Sequence, residues 1–90
     1  MSADNFVALL QTKNEFRVMK AQCFENLLNE EGYYSPQKVY DAFSNTKPII
    51  DQLEAGLYAE QLENEDENTE YGIFVISFSD VPFESLSVFE

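Results

Sequence analysis

The sequence predicts an α+β fold, a single small domain of about three helices packed on a short antiparallel sheet with a C-terminal hairpin. Three observations carry this expectation. Helix-start signals recur at Thr12–Glu15, Ser35–Pro36 and Thr46–Pro48. Residues 71–79, YGIFVISFS, are rich in β-branched and aromatic side chains, and residues 85–89 alternate serine with apolar residues. Ninety residues can supply only one core. A hydrophobic fraction of 44%, with eight Phe and five Tyr, is enough to build it.

Taken in order, residues 5–10, NFVALL, form an apolar run that suits either a first strand or one helical turn, buried in both cases. Thr12 and Glu15 match a T-x-x-E capping box, which starts a core helix near Lys13. At about 100° per residue, Phe16, Met19, Cys23, Phe24, Leu27 and Leu28 share an arc, and only Val18 falls among the polar residues. Gly32 supplies a left-handed stop, which ends this helix near residue 30. Ser35 caps a second, short helix with Pro36 at its first position. Val39, Tyr40, Ala42 and Phe43 face its core side, with Lys38 and Asp41 opposite.

Thr46 caps a third helix that admits Pro48 in its first turn. Here Ile49, Ile50, Leu53 and Leu57 share the apolar face, and Asp51, Glu54 and Tyr58 lie opposite. The pattern breaks near Ala59, so a kink or an end is expected there, and residues 63–70 read as a loop. The run 71–79, apolar on both faces, suits a central covered strand, and Asp80 to Glu84 with Pro82 turn into the final strand.

Charge is the most informative property. Of seventeen acids and five bases, eleven acids and no base fall in residues 51–90, whereas the first fifty residues are nearly neutral. Residues 51–70 alone carry Asp51, Glu54, Glu60, Glu63, Glu65, Asp66, Glu67 and Glu70. Such asymmetry argues against direct binding to nucleic acid or an anionic membrane, and points to a basic partner. No stretch is long and apolar enough to span a bilayer, and no leader pattern opens the chain. The single Cys23 fits a reducing compartment, so a cytoplasmic location is expected.

Residue types also limit the chemistry. Histidine is absent, which removes imidazole as base, shuttle or ligand and leaves Ser and Cys nucleophiles without their usual activator. Cys23 reads as a core thiol, and the three glycines are too scattered for a phosphate loop. Asn64, Asp66 and Asn68 fall at the first, third and fifth positions of an EF-hand-like loop. Thr69 then stands where glycine is required, and Val75 where a bidentate Glu should close the shell. The expectation is a non-enzymatic protein with no metal and no cofactor.

Carboxylates accept the same bidentate arginine contacts as phosphates, so a rigid acidic surface can occupy a groove built for DNA. The phosphate-mimicking residues nominated on charge are the eight above together with Asp80 and Glu84. The frame would be the third helix and the strand 71–79, with 60–70 between them. Tyr33, Tyr34, Tyr58 and Tyr71 are core-edge aromatics that could anchor an interface where exposed.

The opening MSADNFVALLQTKNEFRVMK, the chain length and the acidic second half together resemble the Arn anti-restriction proteins of T-even-type bacteriophages. That resemblance implies a DNA mimic that blocks the host McrBC restriction endonuclease and also, in the host cytoplasm, histone-like nucleoid proteins. A homodimer would double the acidic track. The alternative from the residues is a small phage adaptor that docks on a host protein such as RNA polymerase through the apolar hairpin near Val81, Phe83 and Phe89.

Overall fold

The apolar run near the start is a strand, and it is the middle one. The computed structural model describes residues 5–21, 24–65 and 72–88. Its elements are β1 (Phe6–Thr12), β2 (Phe16–Ala21), a 3-10 turn (Phe24–Asn26), α1 (Pro36–Phe43), α2 (Gln52–Glu65), β3 (Ile73–Phe78) and a 3-10 helix (Phe83–Val88). The sheet order is β2-β1-β3. β1 pairs antiparallel with β2, from Phe6↔Ala21 to Gln11↔Phe16. It pairs parallel with β3, from Val7↔Ile73 to Thr12↔Phe78. The α+β class holds, with a mixed sheet in place of the expected antiparallel one.

Both faces of β1 are covered, which is why its sequence is apolar without alternation. Phe6, Ala8 and Leu10, with Ile76 of β3, pack against Leu27, Val39, Phe43, Phe83 and Leu86. On the other face Val7 and Val18 meet Ala55 and Ala59 of α2, with Leu9, Phe16, Ile49, Leu62 and Ile73 around them. Thus α1 and the C-terminal 3-10 helix cover one side, and α2 the other.

The expected first helix, 13–30, is replaced by β2. Its capping-box residues do meet, but as a hairpin turn: the Thr12 N–H and hydroxyl both donate to the Glu15 carbonyl, at 2.9 and 2.7 Å. Val18, the one misfit on the helical wheel, is buried, because alternation puts Phe16, Val18 and Lys20 on the α2 side. Local propensity for a helix yields here to pairing with β1. Gly32 does adopt positive φ, +89°, in the loop before α1 rather than at a helix end. Cys23 lies outside the described residues.

α1 forms as its signals indicate. Ser35 is the N-cap, its hydroxyl accepting the Lys38 N–H, and Val39 and Phe43 are buried. Thr46 does not start the next helix, since its hydroxyl donates to the Phe43 carbonyl and closes α1. Ile49 then bonds to Phe16 through both backbone groups, a single bridge on the outer edge of β2.

β3 is an edge strand, not the central one, and Val75 on it is 59% exposed. The expected final hairpin does not form. Val81 N–H donates to the Phe78 carbonyl, Ser85 N–H to Pro82 and the Ser87 hydroxyl to Glu84, and these local bonds wind the segment into the 3-10 helix. Phe83 and Leu86 are buried by it, so among the described residues no apolar hairpin is formed. Phe89 lies outside the described residues.

Arg17 ties three of these pieces together. Its guanidinium donates to the carbonyls of Phe43 and Thr46 at 3.2 and 2.7 Å, pairs with Glu15, and lies 3.8 Å over the Phe83 ring, which stacks in turn on Tyr40. Two carbonyls at the end of α1 and one aromatic face are thereby satisfied by a single side chain. Arg17→Ala should cost about 2 kcal/mol in urea unfolding. Arg17→Lys should recover only part of it, since an ammonium cannot reach both carbonyls and stack. An unchanged midpoint for the alanine variant would remove Arg17 from this role.

Candidate partner-binding surface

α2 begins at Asp51, whose carboxylate accepts the Leu53 N–H at 3.1 Å and whose carbonyl accepts the Ala55 N–H at 3.0 Å. A carboxylate at this end also suits the helix dipole. The helix runs unbroken to Glu65, past the kink expected near Ala59. Its length is about 21 Å.

The buried stripe of α2 is Ala55 and Ala59, with Leu62 half-buried beside them. The expected core face is turned outward instead: Ile50 is 75% exposed, Leu53 70% and Leu57 58%. Small side chains let the helix axis approach β1 and β2 closely, so the Ala pair wins the sheet and the larger aliphatics are left in solvent. A hydrophobicity wheel cannot show this, because alanine carries little weight in it. The competing signal was the i, i+4, i+7 spacing of Ala55, Ala59 and Leu62.

Glu54, Glu60 and Glu65 on α2, and Asp51 just before it, are all exposed. By helical arithmetic Glu54 and Glu65 project within about 20° of one line, roughly 16 Å apart along the axis, and Glu60 lies across the Leu53–Leu57 stripe from them. No basic residue follows in the last turn, where carboxylates oppose the dipole at about 0.3–1 kcal/mol each. The helix thus carries charge that works against its own stability.

The other nominated acids are not gathered here. Glu63 is half-buried, and its Oε2 would stand 3.0 Å from a Cβ added at Gly72, so its carboxylate sits against the backbone that enters β3. Asp80 and Glu84 are exposed at the C-terminal end of β3 and on the 3-10 helix, across the sheet from α2. Asp66, Glu67, Glu70 and Tyr71 lie outside the described residues. Of the remaining tyrosines, Tyr33 and Tyr58 are exposed and Tyr34 is half-buried.

Four carboxylates along α2 give about one charge per 5 Å, sparser than the one per about 1.7 Å of duplex DNA. The surface is therefore mixed, an aliphatic stripe between acidic flanks. Sequence reasoning placed Ile50, Leu53 and Leu57 in the core and so missed them as surface anchors. Among the described residues no group of three or more acids or thiols is placed to hold a metal ion, and no helix is long and apolar enough to cross a membrane.

Two substitutions separate the faces of α2. Ala59→Leu should destabilise by about 2 kcal/mol by forcing the helix off the sheet. Leu57→Ala should change stability by less than about 0.5 kcal/mol. Thermal unfolding of the pair checks the assignment, and the reverse order would contradict it. Comparison of the chain with protein families, with curated proteins and with solved structures gives no match.

Proposed function

We propose that this chain is a protein-binding decoy that occupies the DNA-binding surface of a basic host protein. The observation that carries the reading is the outward side of α2, where Asp51, Glu54, Glu60 and Glu65 are exposed with no base on the helix. Arginine and lysine side chains that normally contact phosphates would pair with these carboxylates. Ile50, Leu53 and Leu57 would add desolvated contact at the centre of the interface. The resemblance to the Arn proteins names McrBC as the first target to test, with a histone-like nucleoid protein as the second.

A second reading is favoured by the same aliphatic stripe. In it the chain is an adaptor for a host protein such as RNA polymerase, docking through α2 and not through the C-terminal segment. The readings differ in which residues dominate. In a decoy, Glu54→Gln, Glu60→Gln and Glu65→Gln together weaken binding more than Leu53→Ser, and in an adaptor the order reverses.

Capture on the immobilised chain from bacterial lysate tests the proposal. Under the decoy reading the captured proteins, McrBC among them, are released by duplex DNA and by raised salt. Retention of the captured protein through both washes would overturn it.

A further inference from the structure

Beyond the Phe16–Ile49 bridge, the outer edge of β2 carries no further ladder among the described residues. Thr12 N–H bonds to Glu15 and Val7 N–H bonds to Gly72, so even residues of β1 face β2 and odd residues face β3. With the register Leu10↔Arg17 and Ala8↔Met19, residues 17, 19 and 21 of β2 turn their backbone groups to β1. Residues 16, 18 and 20 turn theirs outward. Phe16 satisfies its outward groups on Ile49, at 2.6 and 2.8 Å. The chain before Ile49 then leaves the track at Pro48 and Lys47 and enters the turn that closes α1.

No described group takes the outward N–H and C=O of Val18 and Lys20. Val18 is only 3% exposed, so its groups are not freely solvated either, and unpaired backbone groups in such a setting are costly. Beside this edge lies a groove of about 770 Å³ between β2 and α2, lined by Val18, Lys20, Lys47, Ile49, Leu57 and Leu62 among others. An edge with unpartnered donors and acceptors, next to a groove that mixes aliphatic and polar side chains, has the form of a strand-addition site.

We propose that this groove receives an extended peptide segment of a partner protein, added antiparallel to β2 in continuation of the single pair made by Ile49. The occupant follows from the register. Cross-strand neighbours share a face, so the guest residue opposite Val18 points at Leu57 and Leu62 and is apolar. The guest residue opposite Lys20 is acidic, because Lys20 and Lys47 outnumber Glu54, the one carboxylate that lines the groove. Antiparallel pairing places the acidic residue two positions before the apolar one. The guest therefore reads Asp/Glu-x-Val/Ile. A second copy of this chain is disfavoured by like charge. The site stands on β2 and does not rest on the decoy reading of α2.

The probe is an acetylated, amidated Thr-Glu-Thr-Val-Thr peptide, titrated into the ¹⁵N-labelled full chain and followed by NMR and amide hydrogen exchange. In the free protein the amide of exposed Lys20 should exchange much faster than those of Arg17 and Met19. Added peptide should shift and protect Val18 and Lys20. Replacing the peptide Glu with Lys should weaken binding at least fivefold, and N-methylation of its Glu and Val amides should abolish it. Lys20→Pro, which leaves the ladder to β1 intact, should lose binding, whereas Lys20→Gln should only weaken it. The proposal is overturned if the N-methylated peptide binds as well, or if Val18 and Lys20 do not respond. Protection of these amides that rises with protein concentration alone would also overturn it, by assigning the edge to a second copy.

Discussion

Everything else in this fold follows from the need to cover both faces of β1 with a short chain. Phe6, Val7, Ala8 and Leu10 leave no side of that strand for water. One face takes α1 and the C-terminal 3-10 helix, which are held to β2 by the Arg17 guanidinium. Among the described residues the other face is covered by α2, with Ile49 beside it. Close approach through Ala55 and Ala59 achieves this, and it turns Ile50, Leu53 and Leu57 away from the core. The exposed aliphatic stripe is a direct product of how the core was closed.

How much could be read beforehand varied with how local the determinant was. Ser35–Pro36 set α1, the Pro82 region set a turn, and residues 73–78 form a strand, because each depends on neighbours in sequence. β2 was missed because FRVMKA suits a helix locally, and only its pairing with β1 makes it a strand; the displaced Val18 was the one visible trace. The C-terminal segment alternates like a strand, but its serines bond to nearby carbonyls instead. In α2, hydrophobicity pointed one way and side-chain size the other. Packing distance decided, and it cannot be seen on a wheel.

The same partition explains the candidate site. The charge asymmetry was fully legible, and Glu54, Glu60 and Glu65 do share α2, with Asp51 capping it. Spatial grouping was not: Glu63 turns towards Gly72, and Asp80 and Glu84 belong to the other side of the sheet. Arg17 is consumed by structure, while Lys20 and Lys47 border the groove beside α2. The molecule thus offers an acidic outer side of α2 and, on its flank, a groove where Lys20 and Lys47 stand with Glu54.

The salt dependence of affinity for a captured partner tests the acidic surface most directly, because each ion pair made on binding adds to the slope of log affinity against log salt. Glu54, Glu60 and Glu65 are neutralised to Gln on α2, and the exposed Glu30, Glu31 and Asp41 are neutralised elsewhere as a matched control. The account predicts a slope that flattens for the α2 variant and stays at the wild-type value for the control. Equal slopes in all three proteins, or a flattening in the control alone, would contradict it.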